Sequence, residues 1–194
     1  MFINWKLREI NLKIVYYGPA LSGKTTTLEY IHRKTQPQLR GDLVSLKTRG
    51  DRTIYFDFMQ LKLGEIVGLK PRFNIYTVPG QVYYVGTRKI VLKGADGVVF
   101  VADSQANRLP ANIKAVRDMK ANLFKLGLEP AKMPLVLQCN KQDLSALTPV
   151  SELKQKLNML EVPTFKTVAT VGEGVLDGFK TIVNQVITSV QKKI

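Results

Sequence analysis

Apolar and polar residues alternate over positions 10–17 (INLKIVYY), whereas 97–103 (GVVFVAD) and 135–138 (LVLQ) are short apolar runs without a pattern. Period-two alternation marks a strand with one buried face, and an unpatterned run marks a strand covered on both. Further strands are predicted at 53–61, 70–78 and 164–169. Between the strands the apolar residues return every three or four positions, as an amphipathic helix requires. That spacing predicts helices over 24–34, 110–126, 150–160 and 176–192, with an irregular or helical stretch from 81 to about 92. In the 110–126 helix Pro110 sits in the first turn, and Ile113, Val116, Met119, Leu123 and Leu126 line one face. Strands alternating with helices predict an α/β fold, doubly wound, with helices on both faces of a mostly parallel six-stranded sheet. The loop joining 53–61 to 70–78 holds Gly64 and Gly68, so these two form a hairpin and supply one antiparallel edge strand.

The 194 residues suit one domain spanning 1–194 around a single core. No apolar run approaches the length that spans a bilayer, so no transmembrane segment is expected. The opening MFINWKLR lacks a secretory signal's apolar region, and neither Gly at position 2 nor a Cys near the C-terminus offers a lipid anchor. The lone Cys139 allows no internal disulfide and suits a reducing cytoplasm. A net charge of +14, from 29 basic against 15 acidic residues, calls for a polyanionic partner. The basic residues are scattered and not interleaved with aromatics, so sequence-specific nucleic-acid binding is not expected, whereas peripheral membrane contact stays open. His32 reads as a helix position, Cys139 as a packed thiol, and Trp5 as packing the amino-terminal segment onto the sheet.

The chemistry collects after the strands, where ligands of doubly wound sheets sit. Residues 18–25 read GPALSGKT, a G-x-x-x-x-G-K-T loop between a strand and a helix. Gly18 and Gly23 let the backbone wrap phosphate oxygens, with Ala20, Leu21 and Ser22 completing the loop. The free N–H groups of the helix start, where Thr26 lies, favour an anion. Lys24 would reach the β- and γ-phosphates, and the Thr25 hydroxyl would ligate Mg²⁺. Residues 140–143 read NKQD, an N-K-x-D motif of Asn140, Lys141 and Asp143. The Asp143 carboxylate can accept from the N1–H and the 2-amino group of guanine, a pair that adenine lacks. GTP or GDP with Mg²⁺ is the ligand these residues imply.

The loop at 18–25, Gly80 with Gln81, and N-K-x-D follow the order and approximate spacing of Ras-like small GTPases. The stretches REINLKIVYYGP (8–19), DRTIYFDF (51–58), YTVPGQ (76–81) and GVVFVADSQ (97–105) resemble the bacterial MglA subfamily, and the similarity covers almost the whole chain. The resemblance implies a Ras-like P-loop GTPase fold, a GTP/GDP cycle, a Roadblock-type (MglB-like) activating protein, and polarity or motility effectors. It also implies recruitment from the cytoplasm to a cell pole or the inner face of the membrane. By the same resemblance Thr53 ligates Mg²⁺ and senses the γ-phosphate, Gly80 offers its N–H to that phosphate, and Gln81 orients the attacking water. Arg52 is a candidate arginine finger supplied in cis, with Arg49 as its rival.

Three positions depart from that pattern. The metal-holding Asp of D-x-x-G is replaced by Thr77, and Asp57 is either its substitute or an outward-facing strand carboxylate. Ala20 stands where a glycine is usual beside the γ-phosphate, which predicts slow unassisted turnover. The guanine-backing S-A-K has become Val168-Ala169-Thr170, so the Ala169 N–H is expected to reach the guanine O6 with no lysine covering the base. The reading is a regulatory GTPase; a GTP-binding scaffold with negligible hydrolysis and a P-loop nucleoside kinase are the alternatives.

Overall fold

The computed structural model describes residues 1–46, 56–80 and 85–193. Its strands are β1 (Phe2–Asn4), β2 (Glu9–Tyr17), β3 (Val44–Leu46), β4 (Phe56–Lys62), β5 (Lys70–Thr77), β6 (Gly97–Asp103), β7 (Leu135–Asn140) and β8 (Thr164–Thr167). Its helices are α1 (Lys24–Lys34), α2 (Val85–Leu92), α3 (Leu109–Lys125), α4 (Val150–Lys156) and α5 (Val175–Gln191). The strands join in the order β3-β4-β5-β2-β6-β7-β8, with β1 paired to β2 off this path. The pairs β5/β2, β2/β6, β6/β7 and β7/β8 are parallel, and β4 runs antiparallel to β5.

Among the described residues the sheet therefore has eight strands where the pattern predicts six. The two additional strands, β1 and β3, span three residues each, too few to show a period. β4 is antiparallel as expected but is not the edge, because β3 pairs outside it through Val44↔Phe58 and Ser45↔Asp57. β1 flanks β2 through Phe2↔Asn11 and Asn4↔Glu9, ahead of the point where β6 begins to pair at Ile14↔Gly97. Trp5 lies in the turn after β1 and is 69% exposed, contrary to the expectation that it packs the amino-terminal segment onto the sheet.

Two apolar layers explain the strand patterns. Ile10, Leu12, Ile14 and Tyr16 of β2 face Leu28 and Ile31 of α1 and Phe179, Ile182 and Val186 of α5. Val15 and Tyr17 face the other way, onto Val91 and Leu92 of α2, Val116 and Met119 of α3 and Leu153 of α4. In β6, Val99 and Val101 join the first layer while Val98, Phe100 and Ala102 join the second, so every residue of that strand is apolar up to its last. Among the described residues no helix is long and apolar enough to cross a membrane.

The sheet's stability rests on these layers. Ile182 is fully buried in the first, so Ile182→Ala leaves a cavity and lowers unfolding free energy by about 2–5 kcal/mol. Urea unfolding monitored by circular dichroism measures this; an unchanged midpoint would place α5 outside the core.

Candidate functional site

Parallel pairing brings the carboxyl ends of β2, β5, β6, β7 and β8 to one edge, and the motifs meet there. The loop between β2 and α1 ends at Gly23, which caps the helix in a left-handed conformation at φ 98° with no side-chain hydrogen bond to the helix. A Cβ at Gly23 would lie 2.2 Å from Asn140 Nδ2, so only glycine fits. With no side chain capping it, the first turn of α1 can turn its N–H groups to an anion. Thr26 is half-buried on that turn and Thr25 is exposed. Leu21 is also left-handed, at φ 64°, and 82% exposed. Ser22 is fully buried, and its Oγ has no hydrogen-bond partner among the described residues.

Lys24 is buried, and its Nζ donates to Gly18 O at 3.0 Å and Pro19 O at 2.7 Å. Burial pushes its pKa down to about 7; the carboxylate of Asp57 opposes that shift and the charge of Arg88 adds to it. The loop thus holds its ammonium in place on backbone carbonyls, poised for a polyanion that would restore the full charge.

Asp57 is bonded to Thr77 itself. Ser45 of β3 lies opposite Asp57 in the ladder, and its hydroxyl donates to Asp57 Oδ1 at 2.7 Å. Across the other side, the Thr77 hydroxyl donates to Asp57 Oδ2 at 2.9 Å and accepts the Asp57 N–H at 2.9 Å. Oδ2 also accepts from the Thr25 hydroxyl at 2.6 Å. Asp57 is buried, not an outward-facing strand residue. Asp57, on β4, thus bonds both Thr77 of β5 and Thr25 at the start of α1. Hydroxyl and carboxylate oxygens are hard donors of the kind Mg²⁺ takes.

On the other flank, Asn140 Nδ2 donates to Ser22 O at 2.8 Å, while its Oδ1 accepts from Thr167 Oγ1 at 3.2 Å and Ala169 N at 3.0 Å. The Ala169 N–H expected to be free for guanine O6 is therefore already engaged by Asn140. Val168 and Ala169 are buried beneath this contact, with Val168 N donating to Glu173 O. Lys141, left-handed at φ 69°, donates to Asp103 Oδ2 at 2.7 Å. Asp143, in the same motif, is exposed. Gly80 rests on the phosphate loop: a Cβ there would lie 2.4 Å from Ala20 N and 2.7 Å from Pro19 C.

Arg52, Thr53 and Gln81 lie outside the described residues. Of the remaining predicted residues, 18–25, Asp57, Gly80, Asn140 and Ala169 share one connected site. Ser45, Thr77 and Asp103 were missed as parts of it. Only Asp103 left a trace in the sequence, as an acid ending a buried apolar run. Cys139 is buried, and burial pushes its thiol up to about 12, in keeping with a packed residue. His32 is half-buried on α1, with Nε2 3.1 Å from Gly41 O.

The profile of the ADP-ribosylation factor family matches residues 1–186. The chain is 50% identical over 191 residues to the mutual gliding-motility protein MglA of Myxococcus xanthus (strain DK1622), covering 98% of each chain. It is 29% identical over 150 residues to the Ras-related protein Rab-32C of Dictyostelium discoideum, covering 77% of this chain and 59% of that one. With the human ADP-ribosylation factor-like protein 4A it shares 24% identity over 188 residues, 90% of this chain and 82% of the relative.

The lowered pKa of Lys24 has a stability consequence. Between about pH 7 and the usual lysine value of 10.5 the unfolded chain holds a proton that folded Lys24 has released. The penalty for burying the charge is complete below that window, and stability recovers as pH rises through it. In ligand-free protein, Lys24→Met should therefore be stabilising at pH 7 and less so at pH 9, measured by urea unfolding at both. A difference that does not change with pH would mean that Lys24 titrates as an ordinary lysine.

Proposed function

The chain belongs to the ADP-ribosylation factor family of Ras-like small GTPases, in its MglA subfamily, and is a GTP hydrolase; on that premise we propose that it is a slow guanine-nucleotide switch for cell polarity and motility. The observation that carries this reading is the contact of Gly80 with the backbone of Pro19 and Ala20. A third phosphate beside Ala20 needs the space where Gly80 now rests. Its arrival displaces the segment after β5, and hydrolysis lets that segment return, which presents partners with two surfaces.

Each residue then has a task. Lys24 and the first-turn N–H groups of α1 hold the phosphates, and Asp143 reads guanine. Thr25 and Thr53 are the residues that would hold Mg²⁺, with Asp57 supporting them through the Thr25 hydroxyl. When bound, the ion neutralises charge on the β- and γ-phosphate oxygens. Gln81 orients the attacking water, and Arg52 places its guanidinium against charge that develops as the phosphoryl group transfers. Ala20 crowds this arrangement, so turnover is slow until a Roadblock-type (MglB-like) protein aligns Arg52 and Gln81. The same protein and the motility effectors would recruit the GTP-bound form from the cytoplasm to a pole or the inner membrane face. The purpose named for the Myxococcus relative, gliding motility, is carried to this chain on 50% identity over nearly all of both proteins.

Single-turnover GTP hydrolysis with and without the Roadblock-type protein tests the reading. Expected is a slow basal rate with marked stimulation, and Arg52→Ala lowers the stimulated rate by about 10³-fold while GTP binding persists. Undiminished stimulated hydrolysis in that variant would remove Arg52 from the mechanism. No stimulation of the wild type would favour the scaffold reading.

The role of Asp57 is tested separately. Asp57→Asn should raise the Mg²⁺ concentration needed to retain GDP by about tenfold or more, read from release of a fluorescent GDP analogue across a magnesium titration. The same magnesium dependence in variant and wild type would return Asp57 to a purely structural place in the sheet.

A further inference from the structure

Asp103 closes β6 as a carboxylate with no exposure to solvent. Its backbone is clamped by Asn112 of α3, whose Oδ1 accepts the Asp103 N–H at 3.0 Å and whose Nδ2 donates to Asp103 O at 2.7 Å. Its Oδ1 accepts from Gln105 N at 3.2 Å and Gln105 Nε2 at 3.0 Å. Oδ2 is shared: Lys141 Nζ lies 2.7 Å away and Arg108 Nε 3.6 Å away. The neighbouring nitrogen of the same guanidinium, Nη2, donates to Ala20 O at 2.8 Å. One rigidly held acid thus joins the base-reading loop, through Lys141, to the phosphate loop, through Arg108.

We propose that Arg108 is a positioning residue that aims the Ala20–Leu21 peptide at the phosphates and so sets how long a nucleoside diphosphate is retained. The inference rests on the reading of residues 18–25 as a guanine-nucleotide site. No peptide bond among the described residues is cis, and a trans peptide turns its N–H opposite to its C=O. With Ala20 O drawn toward Arg108, the Leu21 N–H is turned to the other side of the loop, toward the phosphate cradle. Leu21 holds this orientation at φ 64°, a region that a leucine occupies only where its surroundings enforce it. Arg108 is that enforcement from outside the loop. Gly80 presses on Ala20 from a second side, with a Cβ there only 2.5 Å from Ala20 Cα. Two nitrogens of one planar group serve the acid and the carbonyl together, which a lysine's single ammonium does not reproduce.

The experiment compares wild type, Arg108→Ala, Arg108→Lys and Asp103→Asn by three readouts. These are the release rate of a fluorescent GDP analogue, the ratio of GTP to ATP affinity, and the melting temperature of the nucleotide-free protein. Arg108→Ala should release GDP about tenfold faster, as loss of one charge-assisted hydrogen bond implies. Its guanine preference and nucleotide-free melting temperature should stay at the wild-type values, and Arg108→Lys should fall between the two. Asp103→Asn frees Lys141 as well, so it should lose both retention and guanine preference. Wild-type release from Arg108→Ala overturns the proposal while leaving the nucleotide reading intact. Faster release together with a matching fall in nucleotide-free melting temperature overturns it too, because Arg108 would then be a structural residue. A wild-type protein that fails to retain GDP at all overturns the nucleotide reading and this proposal with it.

Discussion

One side-chain amide, that of Asn140, holds three loops in register. It donates to the phosphate loop at Ser22 O and accepts from Thr167 and from the Ala169 N–H beyond β8. Its Nδ2 fills the space where a Cβ on Gly23 would lie. The left-handed turn that starts α1 is therefore shaped as much by β7 as by its own residues. Because the amide is buried and all three bonds are made inside the protein, losing one partner would leave polar groups stranded away from water. That penalty makes the site one unit rather than three adjacent loops.

The second organising feature is electrostatic. A buried ammonium is held on two carbonyls, and the carboxylate of Asp57 favours its charge. Asp57 is in turn saturated by hydroxyls from Thr25, Ser45 and Thr77. The chain's net charge of +14 favours the approach of a polyanion to such a site. Asp57 of β4 and Thr77 of β5 lie on antiparallel neighbours. They face each other across that ladder, and the Asp57 carboxylate also reaches Thr25.

Much of this was legible in the residues. The 24–34 helix, the buried 97–103 strand and the meeting of GPALSGKT with NKQD follow from periodicity and from spacing that only a phosphate site with a base reader needs. Trp5 was misread because an aromatic near a chain's start is apolar in any list, whereas its burial depends on where a turn projects. β1 and β3 escaped because three residues carry no period, and their pairing is decided by neighbours far along the chain. Ala169 was assigned a free N–H because nothing local shows that Asn140 accepts it.

By itself, the sequence determined the alternation of strands and helices, the G-x-x-x-x-G-K-T and N-K-x-D motifs and the family resemblance, since each is a pattern of residue types read along the chain. Tertiary structure alone decided that Asp57 faces inward to Thr25, that Gly80 lies on Ala20, and that Asp103 links Lys141 with Arg108. Apart from Asp103 with Arg108, those contacts join residues tens of positions apart, on different elements and loops. Their geometry comes from strand pairing and from the packing of two helical layers, which no short-range pattern encodes.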